Sequence, residues 1–470
     1  MNAEHVENLI IGSGVAGKLL GWTLASQGQK TVVVERAMVG GSCPNVACLP
    51  SKNVIHSAKA VSLVHPTRGL GVVTGNVHVD MAAVARRKWK MVNELVEIHL
   101  AKFKASGAEL VMGEARFTQP KTIEVALNAG GTRQLHGNRV FINVGTRARI
   151  PGVPGLADAK PMTHVEALNL ERLPEHLLIL GGGYVGLEFA QAMRRFGSRV
   201  TIVQHGPHLL DQEDADVSDG LLELMKDEGL EVLLSSEVLK VTGRSGEMVT
   251  MLVRSGPVHS GTGERTLEAS DILVAAGRTP NTDRINLDRA GVEVDSRGYI
   301  RVDDRLRTTA PDVWATGESA GSPHFTHAGE DDFRIVLDNL NGGSRTTRGR
   351  VIPYVLFTDP ELAHVGLSET EAKAKGMHYR IAKMPMAMVF RAQTLSETRG
   401  FVKALIGDDD RILGFTAFGV EGSEMMAVVQ TAMLGRLPYT ALRDAIFTHP
   451  TSAEGLIGLF LNPPAAPAGE

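Results

Sequence analysis

Cys43 and Cys48 are the only cysteines in 470 residues, and they stand five positions apart in Gly40-Gly41-Ser42-Cys43-Pro44-Asn45-Val46-Ala47-Cys48-Leu49-Pro50-Ser51-Lys52. Two sulfurs at that spacing can cycle as a dithiol–disulfide couple, share a metal, or lie inert in a core. On a regular helix a five-residue offset rises about 7.5 Å, whereas a disulfide tolerates roughly 6.8 Å between Cα atoms. A bridge therefore needs a distorted first turn, and Pro44 suits a helix start. A somewhat strained bridge at a helix N-terminus is easily reduced, and its thiolate pKa is lowered. Structural zinc requires four closed ligands, and no third cysteine exists to help supply them.

The sequence around the pair supplies elements that could deliver electrons to it. Asn8-Leu9-Ile10-Ile11 reads as a buried strand, Gly12-Ser13-Gly14-Val15-Ala16-Gly17 as a turn, Lys18 to Ser26 as a helix and Thr31-Val32-Val33-Val34 as a second strand ending at Glu35. Gly12 permits the tight turn, Gly14 lets a pyrophosphate approach the backbone, and Gly17 lets helix and strand pack closely. Glu35 is placed to accept hydrogen bonds from an adenosine ribose. The pattern returns in Leu177-Leu178-Ile179-Leu180, then Gly181-Gly182-Gly183-Tyr184-Val185-Gly186, then Arg199-Val200-Thr201-Ile202-Val203. Gly181, Gly183 and Gly186 repeat the three glycine roles, so two dinucleotide sites are expected. The second copy has Gln204-His205 where the first has Glu35, which leaves no carboxylate to select a ribose 2′-hydroxyl. His205 could contact a 2′-phosphate, and no arginine sits nearby to clamp one. On this reading NADPH is slightly favoured over NADH.

Composition narrows the function classes. The formal net charge is −4, with no basic excess for a nucleic acid and no Lys/Arg cluster for a membrane surface. Aromatic residues are 5%, too few to suggest a base-stacking platform. No run of 18 apolar residues exists. The polar start Met1-Asn2-Ala3-Glu4-His5 leaves no room for a signal peptide before the first strand. Two cysteines cannot build a secreted disulfide scaffold of this size, so a cytoplasmic protein is expected.

The segment GGSCPNVACLPSK resembles the redox-active signature of the class I flavoprotein (pyridine nucleotide) disulfide oxidoreductases, the family of dihydrolipoamide dehydrogenase, glutathione reductase and mercuric reductase. Phe141-Ile142-Asn143-Val144-Gly145-Thr146 and Leu273-Val274-Ala275-Ala276-Gly277-Arg278 resemble its two strand-to-glycine crossovers, marked by Gly145 and Gly277. Val313-Trp314-Ala315-Thr316-Gly317-Glu318 is similar to its second flavin motif, and Ile446-Phe447-Thr448-His449-Pro450-Thr451-Ser452-Ala453-Glu454 to its C-terminal His–Glu signature. The stretches His324-Phe325-Thr326-His327 and Asp331-Asp332-Phe333-Arg334 look closest to the mercuric-reductase-like group.

The resemblance implies an α/β protein with two Rossmann-like dinucleotide-binding domains and a C-terminal α+β dimerisation domain. FAD is expected on residues 1–150 and 271–345, with Gly41, Ser42, Gly317, Glu318, His327 and Ala328 among its contacts. NAD(P)H is expected on 151–270. An interface domain is expected at 346–460 and a disordered tail at 461–470. Cys43 would be the interchange thiol and Cys48 the flavin-facing one. Lys52 and Glu188 match an ion pair near the flavin. His449, oriented by Glu454, would manage protons against the dithiol of a second subunit, so a homodimer is implied. The substrate would be a small-molecule or lipoyl-type disulfide. The alternatives are a metal-ion or reactive-oxidant reductase, or a redox sensor without turnover. No resident metal is expected.

Three positions depart from the family pattern. Pro44 and Ala47 replace an apolar residue and a glycine, and Glu318 replaces an aspartate bound to the ribityl chain, so that one methylene must be absorbed by backbone movement or a water. The tail Leu461 to Glu470 lacks the cysteine pair of mercuric reductases, no metal-binding domain precedes residue 1, and His449 is absent from those enzymes at this place. True mercuric reduction is therefore disfavoured.

Overall fold

The computed structural model describes residues 3–64, 70–256 and 263–461. Strand β1 (Glu4–Ile11) leads through the first glycine turn into helix α1 (Val15–Ser26) and returns as β2 (Thr31–Glu35). β1 begins four residues before the apolar run that announced it, because its first half alternates between the sheet and solvent. The paired helices α2 (Ser42–Val46) and α3 (Cys48–Leu63) carry the two cysteines. The long helix α4 spans Met81–Ser106. Asp80 accepts from Ala83 N at 2.9 Å to cap its start, and Gly107 closes its end at φ +78°.

Strands β3 (Glu109–Gln119), β4 (Thr122–Leu127) and β5 (Thr132–Ile142) complete the first sheet. β1 lies between β2 and β5, parallel to both. β3 extends this parallel arrangement beyond β2, and the short strand Val313–Ala315 beyond β5. β4 pairs antiparallel with both β3 and β5. Val32, Val33 and Val34 are all buried, as a strand covered on both faces requires.

The second glycine turn belongs to another parallel sheet. There His176–Leu180 lies between Arg199–Val203 and Asp271–Val274, with Glu231–Leu233 at the far edge. An antiparallel sheet of Ser236–Arg244, Met248–Ser255 and Glu264–Ala269 accompanies it. Towards the C-terminus, five antiparallel strands run in the order Tyr354–Leu356, Glu361–Gly366, Ile412–Gly419, Phe401–Ile406, Arg380–Pro385. The helices Gly422–Leu434 and Gly455–Leu461 share their apolar core. Leu461 ends the last helix, and the remainder of the expected tail lies outside the described residues.

Two buried lysines tie these parts together by different physics. Lys403, in the C-terminal sheet, donates to Asp214 at 2.9 Å, to Asp216 at 2.9 and 3.0 Å, and to Glu369 at 2.9 Å. Asp214 also accepts from Glu369 N and Thr370 N, so it is fully engaged. Burial alone would raise the Asp214 carboxyl, but Lys403 and these amides outweigh it and hold it at about 2. Lys88, on α4, donates only to Asn169 Oδ1, at 2.7 Å, and joins no ion pair among the described residues. Burial lowers its pKa to about 8.

Replacing Lys403 by methionine leaves three carboxylates facing one another and should cost about 3 kcal/mol of unfolding free energy. Because the folded Asp214 pKa lies below its unfolded value, its contribution is present above about pH 4 and lost as pH falls through 2. Urea unfolding of both proteins at neutral pH and near pH 3 tests this: the gap should narrow at the lower pH.

Candidate active site

The two sulfurs meet because the helix carrying them breaks. α2 ends at Val46, Ala47 leaves helical geometry at φ −129° and ψ −111°, and α3 starts at Cys48. The distorted turn expected from the spacing is thus present. Asn45 Nδ2 anchors it, donating to Val39 O at 3.1 Å and Gly41 O at 2.7 Å. Both cysteines are half-buried free thiols that hydrogen-bond to one another.

Their surroundings make the two thiols unequal. Cys48 is lowered to about 6, first by the hydrogen bond from Cys43, then with help from the Thr326 hydroxyl and the charge of Lys52, against the opposing effect of burial. Cys43 is pushed up by the same shared hydrogen bond, by burial and by the charge on Cys48. Thr326 Oγ1 lies 3.4 Å from Cys48 Sγ and opens the helix Thr326–Leu340. The negative charge of the reduced pair therefore rests on Cys48.

One turn beyond Cys48, Lys52 donates to both oxygens of Glu188, at 2.9 and 2.8 Å. Glu188 comes from the helix Tyr184–Phe196, which the second glycine turn opens. It is buried and also accepts from Phe357 N at 3.0 Å. The ion pair expected from sequence is formed, and it ties the dithiol helix to the second dinucleotide unit.

The first glycine turn forms a cradle that side chains would fill. A Cβ at Gly12 (φ +98°) would fall 2.3 Å from Asn143 O, one at Gly14 2.5 Å from Asn143 Oδ1, and one at Gly41 (φ +77°) 2.6 Å from Gly14 Cα. Gly17 packs on Gly12 O in the same way, and Gly145 faces open space. Ser42 begins α2 directly after this contact. Such a bare helix entrance fits a pyrophosphate. Glu35 ends β2 as expected, but Ser13 N, Ser13 Oγ, Ala37 N and Met38 N already donate to it. A ribose hydroxyl would have to share or replace one of those donors.

Gly317 donates to Asp332 Oδ2 at 2.7 Å, and Arg350 neutralises that buried carboxylate at 2.6 Å. The Glu318 carboxylate accepts from Thr146 Oγ1 and from Arg278 Nε, the latter at 3.2 Å. His327 and Ala328 lie in the first turn of their helix, with His327 Nε2 at 2.7 Å from Pro353 O and Ala328 buried.

In the second turn, Gly181 adopts φ +114° against Ala275 O, Gly186 packs on Gly181 O, Gly183 faces open space, and Gly277 takes φ +102°. The strand end itself carries no carboxylate, and one lies a short way along the chain. Gln204 Nε2 donates to Asp211 Oδ2 at 3.0 Å, an acid seven residues further along that a strand-end pattern does not reach. His205 is exposed beside it. His449 Nδ1 lies 2.9 Å from Glu454 Oε2, and the ring is 65% exposed. Among the described residues no contact joins it to the dithiol of its own chain.

Four contributors escaped the sequence reading. Asn143 is buried; its Oδ1 accepts from Gly17 N at 3.1 Å, and its Nδ2 donates to Thr316 O at 3.1 Å. It thereby joins the glycine turn, the first crossover and the second flavin motif. Thr326 reaches a sulfur from 278 residues away. Tyr184 and Tyr354 both donate to Glu213 at 2.8 Å beside the second turn. Asn143, Thr326 and Tyr184 lay inside quoted motifs and Tyr354 did not; the partners of all four are set by tertiary structure.

A thiolate beside two dinucleotide folds marks a disulfide reductase, and the chain belongs to the pyridine nucleotide-disulphide oxidoreductase family, matching it over residues 7–332 and its dimerisation domain over 352–458. It is an FAD-dependent enzyme of that family, working with NAD(P)H. It is 35% identical, across 96% of this chain and 98% of the relative, to the probable pyridine nucleotide-disulfide oxidoreductase RclA of Escherichia coli strain K12. It is 32% identical, across 97% of this chain and 82% of the relative, to a mercuric reductase of Acidithiobacillus ferrooxidans. The solved Cu(II) complex of the HOCl-induced flavoprotein disulfide reductase RclA superposes with a TM-score of 0.87 at 34% identity, covering 98% of this chain and 99% of the other. No described helix is long and apolar enough to cross a membrane.

Titrating the reduced protein should show one thiolate forming with a midpoint at about pH 6 in its ultraviolet absorbance. Thr326→Val should raise that midpoint by roughly one unit, the worth of a hydrogen bond to a charged acceptor. An unmoved midpoint would remove Thr326 from the site.

Proposed function

We propose that this enzyme reduces a small-molecule or lipoyl-type disulfide with electrons from a nicotinamide dinucleotide, through the Cys43–Cys48 couple. The observation that carries this reading is the break at Ala47, which sets the two cysteines on adjoining helices with the Lys52–Glu188 ion pair one turn beyond Cys48. In this reading residues 1–150 and 271–345 hold FAD, 151–270 hold the nicotinamide dinucleotide, and 346–460 form the interface. When bound, FAD supplies hydride acceptance from the nicotinamide and two-electron transfer to sulfur.

The remaining steps belong to the protein's own groups. Cys43, held protonated, gives its proton to the imidazole of a partner subunit's C-terminal histidine. Its thiolate attacks one sulfur of the substrate disulfide; a Cys43–substrate disulfide forms, the substrate S–S bond breaks, and the departing thiolate takes the proton back from that imidazole. The Cys48 thiolate then attacks Cys43 Sγ, closing the Cys43–Cys48 disulfide and releasing the second substrate thiolate, which takes its proton from solvent. The substrate gains two electrons and the enzyme dithiol loses two. Glu454 orients His449 through its Nδ1. Lys52 holds positive charge at the Cys48 end, and Glu188 keeps that ammonium in place.

The homodimer in this reading is supported by the match to the dimerisation domain, by the exposure of His449, and by Ile446, Phe390 and Met388 lying uncovered around it. A working thiol pair fed by reduced nicotinamide belongs in the reducing cytoplasm; fractionation should find the protein with cytosolic markers. For the donor, Asp211 supports NADH and reverses the preference for NADPH expected from Gln204 and His205. A second reading, metal-ion reduction, takes its support from the Cu(II) complex of the RclA structure.

Steady anaerobic oxidation of NAD(P)H with a soluble disulfide, over many turnovers per subunit, is the expected result; reaction once per subunit would instead indicate a sensor. Turnover with Cu(II) but with no disulfide would favour the second reading. His449→Gln should lower disulfide turnover by roughly 100-fold or more, and full retention of the rate would defeat the proton-transfer role. Sedimentation of active protein at the mass of one subunit would exclude the shared site.

A further inference from the structure

The second βαβ unit ends its strand without an acid: Gln204 follows Arg199–Val203 directly. The acid arrives by a return of the chain. After His205-Gly206-Pro207-His208 the backbone comes back to the glycine turn, where Leu210 N donates to Gly182 O at 3.1 Å. Gln204 then bridges the two segments, its Oε1 accepting from Gly182 N at 2.8 Å and its Nε2 donating to Asp211 Oδ2 at 3.0 Å.

Two backbone features hold the carboxylate there. Leu210 adopts φ +49°, a left-handed conformation unfavourable for a branched side chain and retained where surrounding contacts enforce it. Gly206 leaves room for the acid, since a Cβ on it would lie 2.4 Å from Asp211 Oδ2. Asp211 is exposed and joins no ion pair among the described residues. Residues 204–213 contain neither lysine nor arginine.

In this fold the group at the strand end meets the adenosine ribose. A carboxylate there accepts a 2′-hydroxyl and repels a 2′-phosphate, whereas neither glutamine nor histidine repels it. We infer that Asp211, delivered by the left-handed Leu210 and gripped by Gln204, is the residue that makes the enzyme choose NADH over NADPH. This rests on the reading of the second glycine turn as the nicotinamide dinucleotide site. Gly206 and Leu210 are positioning residues for that choice.

The test is calorimetric binding of adenosine 5′-diphosphate and its 2′-phosphorylated analogue to the oxidised holoenzyme, alongside the kcat/KM ratio for NADH and NADPH. The unphosphorylated nucleotide should bind the wild type at least about tenfold more tightly. Asp211→Asn, which keeps the shape and loses the charge, should bring that ratio close to one. Asp211→Arg should invert it, and Gly206→Ala should lower it by displacing the carboxylate. An unchanged ratio in Asp211→Asn overturns the inference while leaving the second turn as the nicotinamide site. Failure of the wild type to bind either nucleotide overturns that reading of the turn, and the inference with it.

Discussion

The site depends on a steric constraint: three stretches of backbone must come closer than side chains allow. Gly41 Cα faces Gly14 Cα, while Gly12 and Gly14 face Asn143. Any Cβ at these points would push apart the dithiol helix, the first glycine turn and the crossover after β5. The reactive sulfurs stand two and seven residues beyond Gly41. Their distance from the cofactor cradle is thus fixed by packing rather than by a mobile loop. Asn143 reinforces that packing, because it satisfies polar groups of two motifs with one buried amide.

Charge is distributed around this packed centre in opposing pairs. Lys52 and Glu188 hold each other across two domains' worth of sequence, so the ammonium near Cys48 is not an isolated buried charge. Asp332 with Arg350, and Glu318 with Arg278, repeat the device around the second flavin motif. The electrostatic result at the sulfurs is a division of labour. The pKa of Cys48, which lies 3.4 Å from the Thr326 hydroxyl, is lowered, and that of Cys43 is raised.

Much of this was legible in the residues. The glycine triplets, each in register with a strand and a helix, marked both dinucleotide folds, and the spacing of Cys43 and Cys48 required the helix break found at Ala47. What the sequence hid were contacts made by chain return. Asp211 could not be read as a neighbour of the second glycine turn, because the pattern looks only at the strand end and this carboxylate comes back from a loop. Thr326 and Tyr354 reach the centre from distant segments with no periodicity to announce them. Glu318 was recognised as a departure, but its partners Thr146 and Arg278 follow from side-chain rotation, which no one-dimensional pattern encodes.

Lys88 gives the molecule an asymmetry in its response to alkali. Its ammonium is packed inside, 3.6 Å over the centre of the Trp89 ring and with one amide oxygen as hydrogen-bond acceptor, and no carboxylate compensates it among the described residues. Its pKa is lower in the folded chain, at about 8, than in an unfolded one, so the unfolded form binds the extra proton. Folding at this helix is therefore favoured progressively as the medium turns basic, from about pH 8 until the unfolded lysine also deprotonates near 10. Around α4, mild alkalinity acts as a tightening agent.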